Sequence, residues 1–172
     1  RARMQRAWMP RIQLKHANLM EAALEHAHLK HAQLSGASLT EASLLHADLE
    51  FSQMQDVSLK DANLNDANLR HTQLQRSRLR GVLALRTDFS HATMTDVDLT
   101  DACLRYANLQ EVDLRRATLT DTSFAGANLR KANLLFTDLS EAELDGACLR
   151  EAILTEQQRE IAEEMGAEVD DW

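Results

Sequence analysis

Ala62-Asn63-Leu64-Asn65-Asp66-Ala67-Asn68-Leu69-Arg70-His71 repeats one Ala-x-Leu triplet twice in ten residues. The triplet extends in both directions without losing phase. Every fifth residue from Met4 to Leu154 gives 31 positions, of which 24 are leucine. The others are Met4, Met9, Met54, Ala84, Phe89, Met94 and Phe124. Two residues before each lies a second column, Ala2 to Ala152, holding alanine at 20 of 31 positions and otherwise Ser, Thr, Val or one Ile. No insertion interrupts residues 2–154.

A step of five fits neither regular element. On an α-helix it rotates the side chain by about 140° and makes no stripe. On a flat strand an odd step alternates faces. Within a triplet, though, the small residue and the leucine are two apart and share a face of extended chain. The two remaining residues must then turn the backbone so that the next pair also faces inward. Repeated turns of one hand close a polygon, and stacked polygons form a β-solenoid around the leucines.

The outward positions set the number of sides. Glu21, Glu41, Asp61, Gly81, Asp101, Asp121 and Glu141 recur every 20 residues and are acidic six times in seven. Steps of 15 or 25 dissolve the pattern. Gln13, Gln33, Gln53 and Gln73 share the same step, and stacked amides can hydrogen-bond along such a ladder. Twenty residues at five per side predicts four sides, nearly eight coils, and a rod about 37 Å long at ~4.8 Å per coil.

Units such as Ala62-Asn63-Leu64-Asn65-Asp66 and Ala107-Asn108-Leu109 resemble the A(D/N)LXX motif of pentapeptide-repeat proteins. The resemblance spans residues 2–154. It implies an all-β solenoid, a right-handed quadrilateral β-helix with inward Leu or Phe. It implies little about function, because one fold hosts many roles.

The whole chain of 172 residues carries a net charge of -8, so nucleic acid is not expected as a direct ligand. Two cysteines make no disulfide framework and suit a reducing compartment. No apolar run is long enough to span a membrane, and the first residues lack a charged-then-apolar leader pattern. The expected location is a bacterial cytoplasm.

The rod (1–154) is expected to end at a helical cap and acidic tail (155–172). Thr155 and Gln158 stand at capping-box spacing. Ile161, Ala162 and Met165 share a helical face, and Gly166 suits a C-terminal stop. That face is expected to lid the last coil, with Val169 and Trp172 adding to it; a dimer contact is the alternative. At the other end the repeats begin at residue 2 and the chain starts with Arg1, so a longer parent protein, or an open or paired first coil, is expected. Trp8 and Pro10 are expected to blunt that edge, Pro by withholding a donor.

Ala84 leaves a gap in the leucine column. Either Leu83 or Leu85 turns inward and the coil bulges, or both stay outside and form an apolar patch with Leu45 and Tyr106. His16, His26, His31, His46, His71 and His91 all fall two after a core position, with His26/His46 and His71/His91 on neighbouring coils. Such pairs offer two ligands where zinc wants four, so no metal is expected and solvated histidine is the simpler reading. Cys103 and Cys148 read as separate free thiols. No nucleophile, base and oxyanion-donor constellation or phosphate loop occurs, so neither catalysis nor a cofactor is expected.

The functional expectation is therefore a non-enzymatic solenoid that binds a protein partner, or a second copy of itself. The candidate contacts are the acidic column (Glu21, Glu41, Asp61, Asp101, Asp121, Glu141) and the patch of Leu45, Leu83, Leu85 and Tyr106. The column is expected to repel itself and so to call for a cationic partner. The family resemblance offers an alternative, a DNA-mimicking modulator of DNA gyrase like the quinolone-resistance proteins. Two features depart from it. Residues 155–172 hold seven acids and one Arg, leaving the rod at only -2, with Arg11, Lys30, Arg70, Arg130, Lys131 and Arg150 opposite the acidic column. The loops associated with gyrase are also missing.

Overall fold

A computed structural model of the chain describes residues 2–170. The middle residue of each triplet pairs in parallel with the residue twenty positions on. Arg3 pairs with Ala23, Trp8 with His28, Gln13 with Gln33 and Asn18 with Ser38, and the four rows continue up the chain. A constant offset of twenty over four rows is a four-sided β-helix with five residues per side.

Each corner is a β-turn. The Ala67 N–H donates to the Leu64 carbonyl at 2.9 Å, and Asp66 between them has φ 56°. Positive φ at the third position is the type II signature. Among the described residues twenty-five non-glycines adopt it, although a side chain there is sterically costly. Asp and His tolerate this region better than most, and six of the 25 are His and six are Asp. The recurrent corner histidines and aspartates thus have a conformational cause.

The Asn or Asp inside the triplet serves the same corner. Asn63 Oδ1 accepts the Asn65 N–H at 3.0 Å, Asn68 Oδ1 that of Arg70 at 3.2 Å, and Asp98 Oδ1 that of Thr100 at 3.0 Å. The next coil is held by ladder bonds such as Leu64 N–H to Leu83 O at 2.7 Å and Asn68 N–H to Ala47 O at 2.9 Å. Two backbone partners and one local side chain therefore satisfy the groups that turning would otherwise leave unpaired.

From Leu24 to Leu149 every residue of the five-step column is at most 2% exposed. The small column beside it is also buried, from Ala22 to Ala147. Where it carries a hydroxyl, that hydroxyl donates to the carbonyl of a five-step-column residue, as Thr72 does to Leu69 at 2.7 Å, Thr87 to Leu64 at 2.7 Å and Ser77 to Met54 at 2.8 Å. A buried hydroxyl so paired costs little. Ala84 is fully buried, and its coil keeps its register, with Leu83 bridged to both Asn63 and Cys103. The bulge does not form. The same coil carries Phe89 and Met94, both fully buried, whose extra volume offsets the missing leucine carbons.

The regular pattern breaks once, just before the end. Thr118 has no bridge to Asp138, Glu141 lacks the positive φ of the other corners, and Asp121 N–H reaches past position 140 to the Glu141 carbonyl at 3.1 Å. Helix α1 (Glu156–Glu164) follows, with Thr155 as N-cap in a full capping box with Gln158. Ala162 is fully buried, and Ile161 and Met165 pack half-buried against the core. Gln158 also plugs the coil end: its Nε2 donates to the Leu134 and Thr137 carbonyls at 2.6 and 2.7 Å. After Gly166 the chain returns to the ladder, Glu168 pairing with Cys148. Val169 packs against the core, whereas Trp172 lies outside the described residues.

The first coil has no partner rung on its outer side among the described residues. Met4, Met9, Ile12 and Leu14 are half-buried, and Trp8 is 75% exposed, its ring 4.8 Å from His28. Pro10 does not act by withholding a ladder donor. It sits at the second turn position, whose N–H enters no backbone ladder bond in any described coil, and its fixed φ suits that position.

Replacing Gln158 by Ala strips two buried carbonyls of a donor and breaks the capping box, so a loss of ~1–3 kcal/mol is expected. Urea unfolding should show this for Gln158→Ala and no comparable loss for Gln157→Ala, since Gln157 makes neither bond.

Candidate interaction surfaces

With the interior filled, chemistry is left to the outward rows, which the twenty-residue offset stacks on adjacent rungs. Glu21, Glu41 and Asp61 line up as consecutive corners, their N–H groups donating to Thr40, Lys60 and Arg80 carbonyls at 2.8–2.9 Å. Asp101 and Asp121 continue the row, and Glu141 departs from it where the corner geometry fails. The row is not a bare line of repelling anions. Lys60 Nζ lies 3.6 Å from Asp61, and Arg80 lies 3.0 Å from Asp101. Cations at the preceding turn position thus relieve part of the repulsion that suggested a cationic partner.

The opposite corner is compensated in the same way. Lys30 bridges Glu50 at 2.7 Å and Asp48 at 3.4 Å, while Arg130 and Lys131 both meet Glu151, at 2.7 and 3.6 Å. Arg150 reaches Glu168 at 3.4 Å and Arg70 reaches Asp88 at 4.0 Å. A third corner alternates in sign: Asp56 pairs with Arg76 at 2.7 Å and Asp96 with Arg116 at 2.7 Å. Asp66 pairs with Arg86 at 2.7 Å on the fourth. A step of twenty along the rows connects the pairs of the last two corners, Asp56–Arg76, Asp96–Arg116 and Asp66–Arg86.

These pairs set the direction of titration. Hydrogen bonds from Arg76, Arg86 and Arg116 hold the carboxyls of Asp56, Asp66 and Asp96 below the usual aspartate value, and Lys30 does the same for Glu50. The guanidiniums of Arg76, Arg86 and Arg116 are correspondingly raised.

The histidines form stacks. His26 lies over His46 at 4.8 Å between ring centroids. On the next corner His31, Phe51, His71 and His91 make one continuous ladder at 5.2, 4.7 and 4.7 Å, with interplanar angles of 9°, 5° and 5°. His91 Nδ1 then lies 3.1 Å from Glu111. Phe51 was the missed member. Among the described residues no group of three His, Cys, Asp or Glu is placed to hold a metal, and no helix is long and apolar enough to cross a membrane.

Leu83, Leu85 and Tyr106 converge, and Leu45 does not. The three line an open cleft of about 460 Å³ with Asn65, Arg86, Cys103 and Arg105. Leu45 sits two rungs before Leu85 on the same corner row, half-buried and outside the cleft. Leu83 is 49% and Tyr106 59% exposed. Leu83 occupies the place where eleven of the other thirty triplets carry Asn or Asp, and it offers the corner N–H of Leu85 no local acceptor. Asn65 from the preceding rung supplies one instead, at 2.8 Å.

Comparison with known proteins agrees with this architecture. The pentapeptide repeat region model matches residues 7–83, and the pentapeptide repeats model matches residues 85–121 and 117–155. The chain belongs to the pentapeptide-repeat family, whose members form right-handed quadrilateral β-helices. Among solved structures it is similar to a pentapeptide repeat protein from the Arabidopsis thaliana thylakoid lumen, at 26% identity and TM-score 0.55, over 56% of this chain and 68% of that one. It is also similar to QnrB1, a plasmid-mediated fluoroquinolone resistance protein, at 17% identity and TM-score 0.49, over 95% and 87%. HetL, involved in heterocyst differentiation regulation in the cyanobacterium Nostoc, matches at 25% identity and TM-score 0.38, over 89% and 87%. No curated protein matches.

Carboxyls held below their ordinary value stabilise the fold above the carboxylate range, and that contribution is lost as pH falls through the depressed values. Thermal melts should therefore be flat near neutrality and drop below about pH 4. Asp56→Asn, Asp66→Asn and Asp96→Asn together should lower the neutral plateau and shrink the acid limb, and added salt should do likewise because the pairs are exposed. An acid limb unchanged in the triple variant would contradict this.

Proposed function

We propose that the chain is a non-catalytic interaction solenoid, a rigid four-sided rod that presents its outward rows to a protein partner in a reducing bacterial cytoplasm. The supporting observation is the convergence of Leu83, Leu85 and Tyr106 in one open cleft on a rod whose surface charges are largely paired. Other large apolar side chains are exposed among the described residues, namely Trp8, Met20, Phe51, Phe136 and Ile153, but all of them lie outside this cleft. A large apolar group left exposed among polar neighbours is the usual mark of a contact surface.

A second reading, a DNA-mimicking modulator of DNA gyrase, draws support from the rungs of Glu21, Glu41, Asp61, Asp101 and Asp121 stacked along one edge. Lys60 and Arg80 beside that edge weigh against it, because duplex DNA carries an uninterrupted run of negative charge.

Two measurements separate the readings. A gyrase supercoiling assay should be unaffected by the chain; inhibition that Asp61→Lys and Asp101→Lys abolish would favour mimicry instead. Photo-crosslinking in the native host, with the crosslinker at one outward position on each side (residues 28, 53, 78 and 103), should give a discrete protein adduct from one side. Equal or absent adducts from all four sides would count against the interaction reading.

A further inference from the structure

Among the described lysines and arginines, most are engaged. Eleven reach a carboxylate within 4.0 Å, and Arg159 bonds the Asp170 carbonyl. Beyond the first coil, Arg78 and Arg105 are the described basic side chains without a carboxylate partner. Arg78 stands on a polar side. Arg105 stands on the rim of the apolar cleft, its guanidinium carbon 5.9 Å from the centroid of the Tyr106 ring. The cleft thus joins an apolar floor to a cation that nothing in the rod neutralises.

We propose that this cleft docks a short acidic-apolar segment of a partner protein. An aliphatic or aromatic side chain would fill the space between Leu83, Leu85 and Tyr106, and a neighbouring carboxylate would meet Arg105. The inference rests on the interaction reading above and names its site and ligand chemistry.

Three features select this occupant. The first is size. A stable interface between folded proteins buries ~800 Å² and 20–30 residues per side, whereas the cleft is walled by seven residues. Its surroundings, Asn63, Asn65, Ser123 and the Asp66–Arg86 pair, are polar. A second copy of the rod or a globular partner would rest mostly on that polar rim. The second is charge. Arg86 is tied to Asp66 by two hydrogen bonds of 2.7 and 2.9 Å, so the cation open to a ligand is Arg105, and it asks for an anion. The third is backbone chemistry. Leu83 and Cys103 give their N–H groups to the Ala62 and Val82 carbonyls, and their own carbonyls accept from Leu64 and Ala84. No strand edge is open here, so a segment must be read through its side chains.

The walls are preorganised. The corner position twenty after Tyr106 is Gly126, and a Cβ there would come within 2.6 Å of the ring. The missing side chain lets Tyr106 lie along the rod and leave the cleft open. Asn65 holds the Leu85 backbone. An apolar anchor entering such a preformed cleft meets little ordering cost.

Fluorescence polarisation on the full chain tests this with three labelled eight-residue peptides: alternating Leu/Phe and Asp, the same with Lys for Asp, and the same with Ala for Leu/Phe. The Asp peptide should bind saturably, at least ~10-fold more tightly than either of the others. Leu83→Ser and Arg105→Glu should each weaken it by ~10-fold, Arg105→Glu should raise affinity for the Lys peptide, and Arg78→Glu should change nothing. All three side chains point outward, and thermal melts of the variants verify folding. No binding, equal binding of the Asp and Lys peptides, or binding that Leu83→Ser and Arg105→Glu leave intact overturns the proposal. If that happens while crosslinking still marks another side of the rod, the interaction reading survives and only this cleft is lost.

Discussion

Everything in this molecule depends on a corner that repeats every five residues. A leucine carbonyl accepts the N–H three residues on, and the residue between adopts a left-handed conformation that most side chains resist. A single such turn would not hold. It persists because each corner also lays the next side against the previous coil, closing ladder bonds and delivering a leucine to the axis. The strain is local and the return is collective. Nearest-neighbour contacts between coils supply the stability, as in other repeat proteins.

That constraint also governs what may be read from the surface. Histidine and aspartate crowd the corners because they tolerate positive φ, and Asn or Asp recurs inside the triplet because its side chain accepts the corner N–H. An acidic edge and a histidine edge therefore arise before any ligand is invoked. Informative positions are those where the residue serves the fold less well than its neighbours do. Leu83 is one, since it exposes an apolar side chain and leaves the Leu85 N–H to an acceptor on the preceding rung. Arg105 is another, an unpaired cation in a rod whose charges are otherwise largely compensated within it.

The square cross-section and its register were legible because the period of five never slips, and parallel pairing at an offset of twenty then follows from geometry. The capping helix was legible from Thr155, Gln158 and Gly166. The missing Thr118–Asp138 rung, the second role of Gln158 and the return of Glu168 to the ladder were not. Each depends on how a coil end is closed in space, and no period announces that. The ion-pair row from Asp56 to Arg116 does carry a sequence signal, since Asp and Arg alternate at a step of twenty, but the signal lies in the alternation along the row and a net charge conceals it. Of the candidate patch, Leu83, Leu85 and Tyr106 meet in one cleft, while Leu45 lies two rungs away because the rows advance one coil per twenty residues.

The twenty-residue coil can be measured directly. Cys103 and Cys148 would be replaced by serine, nitroxide labels placed at outward positions of one side, and distances read by double electron–electron resonance. Labels at residues 38 and 118 should lie about 19 Å apart and labels at 18 and 118 about 24 Å, each added coil contributing ~4.8 Å. Equal distances for the two pairs, or a separation that does not grow in steps of one coil per twenty residues, would contradict the four-sided rod.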